Sequence, residues 1–301
     1  KDVTLVDCVI QGNIRNYGTG EVRFEAPQIT PESTATKPSE VYKPGATLDR
    51  TLEYGGKTVP IYRDRPLNVF SDVDFIWTGE ENENQRRLEY LGGEFRTRYG
   101  IDVSSFQGEI DWDAVADDNI DFAMVRVGFR GTGTGSLNTD KYYEQNIRGA
   151  MRAGLETGVY FFAQAVTVEE AIEEADYVIS LLDGLDINGP VAYDWEMHDS
   201  TYRVYGTPPE MASACAVAFC ERIKDAGYTP MVYGGTYVTY MKYDQGALAD
   251  YLSWYPEYKS EKSEKLCPTL VYHMDYWQFS SSRAVAGING RVDMNIQFIR
   301  R

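Results

Sequence analysis

Two acidic residues at the end of one apolar stretch have the types and the spacing for acid–base chemistry. The run GPVAYDWE, residues 189–196, is apolar until Asp194 and Glu196, which flank one tryptophan. In a β-strand alternate side chains share a face, so both carboxyls point the same way at the carboxyl end of the strand. Like charges held this close oppose each other's ionisation, and the acid in the drier setting has its pKa raised. That acid can hold a proton near neutral pH. The alternative is that both acids lie in water at the end of a strand, where most Asp and Glu residues are found.

The elements that must position this pair alternate between apolar strands and amphipathic helices. Capping boxes predict helices that begin after Thr167, with Glu170, and after Thr207, with Glu210. Apolar strands separated by helices indicate a parallel sheet covered by helices, and a barrel is the closed form of such a sheet. Five strands are predicted in this pattern, followed by three short strands without helices between them: 99–103, 122–128, 158–163, 191–196 and 230–234, then 252–255, 276–279 and 292–295.

Two further acids fall on these predicted strands. Asp102 ends the first strand, and Asp293 lies in the last. In an α/β barrel the catalytic residues come from the carboxyl ends of separate strands, so these acids can converge on Asp194 and Glu196. Taken singly, Asp102 fits an ordinary Asx-turn and Asp293 fits a residue that closes the sheet. Their joint placement favours one shared pocket.

The first part of the chain lacks the alternation of strands and helices. Its pattern predicts a small β-rich appendage, residues 1–95, ahead of a barrel domain, residues 96–301. Val3–Ile10 alternates weakly, and Glu21–Phe24 is predicted to be the far arm of a hairpin. Residues 28–47 are rich in Pro, Ser and Thr and predict a loop or linker. Two β-prone runs joined by Gly55 and Gly56 predict a second hairpin over 51–62. No cluster in this region suggests chemistry.

Composition narrows the classes of partner. A formal net charge of -17 over 301 residues argues against nucleic acid or an anionic membrane surface. No apolar run reaches about 18 residues, so no membrane span is expected. Lys1–Leu5 lacks the apolar core of a signal peptide, so any export signal is expected to have been removed or to lie outside this sequence. The four cysteines have no metal-type spacing and are interpreted as buried free thiols, with a bridge from Cys267 as the alternative.

From about residue 97 to the end, the chain resembles a known family. The stretch YGIDVSSFQG, residues 99–108, followed by Ile110-Asp111-Trp112, is similar to the opening motif of the family 25 glycoside hydrolases, the Chalaropsis-type lysozymes. Further landmarks agree in order: Val125–Gly128, Gly158–Phe162, the pair Asp194 and Glu196, Trp277–Ser280, and Val292–Asn295. Residues 253–256 depart from the usual form, and residues 1–95 have no counterpart in the minimal domain.

This resemblance implies an α/β fold, a TIM-like flattened (β/α)5β3 barrel with a final group of antiparallel strands. It implies β-1,4-N-acetylmuramidase activity on bacterial peptidoglycan, with Glu196 as the general acid and Asp194 stabilising the charge that develops. Asp194 could orient the substrate's acetamido group, attack directly or position water. The remaining candidates are two pocket acids and four groove residues whose rings or amide would contact sugars: Asp102 and Asp293, and Tyr160, Tyr193, Trp277 and Gln278.

The same resemblance sets the expected context. The expected partner is cell-wall peptidoglycan, and the protein is expected to act as a monomer outside the bacterial cytoplasm, secreted or released by a phage or prophage. No cofactor and no metal are expected. Residues 1–95 are expected to be dispensable for chemistry but needed for targeting or solubility.

Three other interpretations fit part of the sequence. A chitinase-like enzyme also ends a strand with an Asp-x-Glu pair, but its longer run of spaced acids is absent here. A non-catalytic glycan-binding module would keep the aromatics and lose the acids. A metal-dependent hydrolase would use the carboxylates as ligands, with His198 or His273; lone histidines near a strand end are more often structural.

Overall fold

The structure, a computed structural model, describes residues 36–79 and 86–301 in full and the backbone of residues 3–5 and 22–24. Residues Lys1–Ala35 and Thr36–Arg301 form two separate compact units. In the first unit β1 (Val3–Leu5) pairs in parallel with β2 (Val22–Phe24). A hairpin would pair them antiparallel, so the prediction of a hairpin there was wrong. Cys8 lies outside the described residues.

The second unit is built on a closed sheet of eight strands. In chain order they are β7 (Phe95–Val103), β8 (Phe122–Arg130), β10 (Glu156–Ala163), β11 (Val191–Trp195), β12 (Pro230–Tyr233), β13 (Leu252–Pro256), β14 (Tyr276–Arg283) and β15 (Val292–Arg300). Each strand pairs with the next, and β15 pairs with β7 to close the barrel. The short strand β9 (Leu137–Thr139) extends the sheet beside β8.

Five helices follow the first five barrel strands, as the (β/α)5β3 prediction requires. They are α2 (Trp112–Asp117), α3 (Tyr143–Arg152), α4 (Val168–Leu181), α5 (Pro209–Asp225) and α6 (Thr236–Met241). The hydroxyl of Thr167 caps α4 by accepting from the backbone N–H of Glu170, as predicted. Among the last three strands, the antiparallel pairings are those of β15 with β14 and β7, whereas β13 and β14 run parallel to their preceding neighbours.

Strand alternation divides the apolar residues into two layers. Residues on the inner face of the barrel form a small cluster beneath and around the site: Phe122, Met124, Ala192, Met231, Tyr233, Trp254 and Tyr276. Their neighbours along each strand point outward and join a much larger core beneath the helices, which includes Val125, Tyr193 and Trp277. One position along a strand therefore decides whether a side chain faces the site or the helix layer.

Residues 36–79 and 86–95 pack within the same compact unit as the barrel. They contain the helical turn α1 (Pro38–Val41) and two hairpins, β3 (Leu48–Tyr54) with β4 (Lys57–Tyr62) and β5 (Phe75–Thr78) with β6 (Arg87–Tyr90). Gly55 and Gly56 turn the first hairpin with φ of 58° and 74°, which glycine adopts without the steric cost of a Cβ. This confirms the predicted hairpin over 51–62.

The segment between the hairpins is anchored on the barrel by buried polar contacts. Arg65 is 5% exposed and donates to the side chain of Gln245 and to the carbonyl of Leu248. The Asn68 amide donates to the carbonyls of Pro268 and Leu270. Deleting this segment would expose these acceptor groups. The compact units of the chain are divided at residue 35. The boundary at residue 95, after which all the predicted catalytic residues lie, stays a prediction.

Candidate active site

All four predicted acids meet in one cavity at the carboxyl end of the parallel strands. Asp102 ends β7, Asp194 lies in β11, Glu196 follows β11, and Asp293 lies in β15. The cavity has a volume of about 330 Å³, and all four carboxyls line it. Alternation on β11 places Asp194 and Glu196 on the inner face, as the sequence predicts. The site is therefore made from the ends of three separate strands.

Asp102 and Asp293 form the floor of the cavity as direct cross-strand partners in the β7–β15 pair. The amides of Asn295 and Gln278 each donate to Oδ2 of Asp102 at 2.8 Å, and the Gln278 amide also reaches Oδ2 of Asp293 at 3.3 Å. Burial raises the pKa of Asp102, against the opposing effect of these donors. Burial and then the charge of Asp102 raise the pKa of Asp293 to about 8. Asp293 therefore holds a proton at neutral pH beside its partner.

Asp194 is the drier member of the acid pair. It is 7% exposed, whereas 23% of the Glu196 side chain is exposed. Burial, and then repulsion by Glu196 and Asp102, raise the pKa of Asp194 well above its usual range. Within the described part of the chain, Oδ1 of Asp194 has no hydrogen-bond partner. The burial argument from the sequence thus applies to Asp194 and not to Glu196, the residue that the resemblance makes the general acid, and Oδ1 of Asp194 is a buried acceptor.

Glu196 lies where two cavities meet. A second cavity of about 320 Å³ lies beside the first, and both are lined by Glu196, His198, Tyr233 and Tyr258. His198 Nε2 lies 3.0 Å from Oε2 of Glu196. Together the cavities form a groove with Glu196 near its middle, which suits a polymer that extends on both sides of the carboxyl group.

Buried hydrogen bonds from neighbouring strand ends hold Glu196. The side-chain amide of Gln164, which follows β10, donates to the backbone carbonyl of Glu196 at 2.8 Å. The backbone N–H of Gln164 in turn donates to Oε1 of Glu174 at 3.0 Å, and Arg130 at the end of β8 donates to the same oxygen at 2.7 Å. Gln164 and Glu174 are fully buried. This network fixes the backbone of Glu196 relative to β8 and β10.

The predicted groove residues divide by strand alternation. Tyr160 and Gln278 line the cavity with the acids. Tyr193 and Trp277 are 0% exposed and point outward, where Tyr193 contacts Phe219. Trp277 donates from Nε1 to the carbonyl of Glu257. This corrects the prediction that these two rings line the groove, because each is one position away from an inward-facing residue, Asp194 or Gln278.

The structure adds site residues that the sequence reasoning missed. Asn295 bridges Trp254 and Asp102, since its Oδ1 accepts from the indole N–H of Trp254 at 2.8 Å. Arg126 lines the cavity, with its guanidinium under the ring of Phe106, which is 84% exposed. The alternation of inward positions would have found Asn295, two residues after Asp293, and Arg126, two residues after the inward-facing Met124.

The two histidines contact an aromatic ring and a carboxyl group. His273 stacks on Phe95, with ring centroids 5.0 Å apart, and His198 contacts Glu196. Across the described residues, no group of three or more His, Cys, Asp and Glu side chains is placed to hold a metal ion. Cys215, Cys220 and Cys267 are free thiols. In the described ranges no helix is both long and apolar enough to span a bilayer.

A barrel with acidic residues at the carboxyl ends of its strands, opening into a groove around one partly exposed carboxyl, has the features of a glycoside hydrolase. The family model for glycosyl hydrolases family 25 matches residues 101–288, more than half of the chain. The chain belongs to this family.

Known proteins agree with this assignment. The autolytic lysozyme of Clostridium acetobutylicum is 26% identical over 197 residues, which cover 65% of this chain and 54% of that protein. The chain thus spans about half the length of this relative. A bacterial lysozyme from Streptomyces coelicolor superposes with a TM-score of 0.54 at 25% identity, over 66% of this chain and 90% of that one. The modular autolysin LytC of Streptococcus pneumoniae gives a TM-score of 0.57 at 25% identity, over 82% and 57%.

Proposed function

We propose that this protein is a lysozyme that hydrolyses the β-1,4 bond between N-acetylmuramic acid and N-acetylglucosamine in bacterial peptidoglycan. The single observation that carries this proposal is the position of Glu196 between two cavities, with Asp194 buried behind it. A glycan seated along the groove would place one sugar in each cavity and its glycosidic oxygen at Glu196. The lysozymes among the similar proteins support the choice of substrate.

In this proposal Glu196 is the general acid that protonates the leaving oxygen. Its side chain is 23% exposed, whereas Asp102 and Asp194 are 6% and 7% exposed, and Gln164 fixes its backbone. General acid catalysis of this kind contributes about 10²–10⁴-fold to the rate. His198, at 3.0 Å from Oε2, orients the Glu196 carboxyl group.

Asp194 then acts on the sugar in the acid-lined cavity. Its carboxyl group lines this cavity and can accept a hydrogen bond from the acetamido N–H of the substrate or, when ionised, stabilise the positive charge that develops at the anomeric carbon. Asp102 and Asp293, bridged by the Gln278 amide, hold sugar hydroxyls at the floor, and Asn295 supports Asp102. Tyr160 and Gln278 complete the wall of this cavity.

The location outside the cytoplasm follows from the substrate, because an enzyme that cuts the wall must reach it. We propose that the protein acts at the bacterial cell wall, as a monomer, and contributes to wall catabolism. Sedimentation of the purified full chain tests the monomer, and fractionation of the producing cells tests the location.

Product analysis tests the proposed reaction. Purified peptidoglycan digested with the full chain should yield fragments with muramic acid at the reducing end, and chitin oligosaccharides should be cut at least tenfold more slowly. Glu196→Gln should lower turnover at least 100-fold with an unchanged circular dichroism spectrum. Reducing-end glucosamine, or more than a tenth of the wild-type turnover in this variant, would overturn the assignment.

A further inference from the structure

A further cavity of the second unit lies outside the catalytic groove. It measures about 450 Å³, against about 330 Å³ for the acid-lined cavity. The first hairpin and the segment before it form one wall, and the start of α5 with the end of α6 forms the other. We refer to it as the strap cavity, and its principal lining residues are Tyr42, Lys57, Tyr62, Tyr240, Lys242 and Tyr272.

The walls of the strap cavity are held by specific contacts. The backbone N–H of Gly45 donates to Asp244 at 3.0 Å, and a Cβ on Gly246 would come within 2.3 Å of the Gly45 Cα, so only glycine allows this approach. The Tyr272 hydroxyl accepts from the backbone N–H of Tyr62, and Tyr54 packs on Tyr240 with ring centroids 5.2 Å apart. The cavity is therefore preformed rather than a gap between loosely packed parts.

One buried cation in the cavity wall has donors to spare. Lys242 is 9% exposed, and its Nζ donates to the carbonyl of Thr207 at 2.7 Å. Among the described residues it has no carboxylate partner within 4.0 Å. Its burial lowers its pKa, and the charge of Lys57 lowers it further. An ammonium carries three N–H donors, and the bond to Thr207 uses one of them.

The other charges of the lining select against a strongly ionic ligand. Asp244 and Glu210 line the same cavity as Lys57 and Lys242, so the formal charges of these four side chains cancel. The carboxylate of Asp244 is already occupied by backbone N–H groups of Gly45, Gly246 and Ala247. Tyrosine rings with scattered donors and acceptors suit a saccharide, whose ring faces are apolar and whose hydroxyl and amide oxygens accept hydrogen bonds.

The strap cavity and the catalytic groove share one helix. Val238 of α6 lines the cavity beside Glu196, while Thr239, Tyr240 and Met241 of the same helix line the strap cavity. An α-helix is about 10–12 Å across with its side chains, so the two sites are close enough to hold neighbouring parts of one polymer network.

We propose that the strap cavity is a second glycan-binding site, which holds an N-acetylated stretch of the wall polysaccharide while another stretch occupies the catalytic groove. This inference rests on the proposed function, because it takes the same polysaccharide as ligand. It gives residues 36–62 a role in holding the enzyme on the wall. A second site of this kind raises retention on a polymer through effective concentration, without altering the chemistry at Glu196.

Binding to an inactive full chain tests the site. In Glu196→Gln, calorimetric titration with a tetrasaccharide of alternating N-acetylglucosamine and N-acetylmuramic acid, its lactyl carboxyls amidated so that the probe is uncharged, should give two sites. Lys57→Glu, and Thr58→Trp at the exposed rim, should each weaken one site at least tenfold. Lys262→Glu, an exposed lysine away from both cavities, is the charge-matched control and should leave both sites intact. A stoichiometry of one, or two sites that neither rim variant affects, overturns the proposal.

Kinetics in the active protein separate this inference from the proposed function. Lys57→Glu should lower the rate on insoluble walls at least threefold and leave kcat/KM on the soluble tetrasaccharide unchanged, whereas Lys262→Glu should change neither. Equal loss on both substrates would contradict a retention site. If the wild-type chain cleaves the substrate but has a single binding site, the proposal of a second glycan-binding site is overturned and the proposed function stands. Absence of cleavage overturns the proposed function, and this inference with it.

Discussion

Replacing Asp293 by asparagine should stabilise the protein at neutral pH. Asp293 is the direct cross-strand partner of Asp102, and like charges directly opposite each other destabilise a sheet. Burial and the charge of Asp102 raise its pKa from 3.8 to about 8. An asparagine can keep the same contacts, donating to Asp102 and accepting from Gln278, without any charge to suppress.

The sign follows from proton binding. Between about pH 4 and about pH 8 the unfolded chain ionises this carboxyl, while the folded protein keeps it protonated. The folded state binds more protons, so this carboxyl lowers the free energy of unfolding as pH rises through that window. One pKa unit is worth about 1.4 kcal/mol, and about three units separate pH 4 from pH 7, which gives an upper limit of about 4 kcal/mol. Because solvent reaches part of this side chain, we expect about 1–2 kcal/mol.

Urea unfolding at several pH values measures this effect. The free energy of unfolding of Asp293→Asn should exceed that of the wild type by about 1–2 kcal/mol at pH 7 and should approach it at pH 4. Asp186→Asn, at an exposed loop position, is the matched control and should show no such trend. A difference between Asp293→Asn and the wild type that stays constant from pH 4 to pH 8 would refute the reasoning.

Three further predictions test the site and the packing. Asp194→Asn should lower kcat on the tetrasaccharide at least 100-fold, whereas Tyr193→Phe, on the outer face of the same strand, should keep at least half of the wild-type kcat. Equal losses in the two variants would show that strand alternation does not separate their roles. Gln164→Met should lower kcat about tenfold with little change in KM, because the acid loses its backbone support, and Gln164→Glu should not restore it; a change in KM alone would contradict a positioning role. A chain that begins at Thr36 should be folded and active, whereas one that begins at Glu94 should be poorly soluble because it lacks the Arg65 anchor; full solubility of the shorter chain, measured by light scattering, would show that the anchor is not needed.

In residues 36–79, the local sequence pattern predicted the secondary structure but not the packing. Gly-Gly between two β-prone runs is a local signal, and the hairpin at 48–62 formed where it predicted. No local pattern predicted the anchoring role of Arg65, because that role depends on hydrogen bonds to the carbonyls of Leu248 and Tyr251, more than 180 residues away. The sequence pattern therefore located the hairpin but not the surface on which it packs.

The sequence by itself determined the order of strands and helices and the convergence of four acids, because period-two alternation and strand ends are local properties of the chain. The same alternation, applied to Tyr193 and Trp277, would have predicted that both rings point away from the groove, because each is adjacent to an inward-facing residue. Only the tertiary structure decided that Asp194 is drier than Glu196, that Asp293 faces Asp102 across the closing strands, and that Asn295 and Gln164 support the acids. Burial and charge pairing depend on side chains contributed by distant strands, and no local pattern specifies the distance between them.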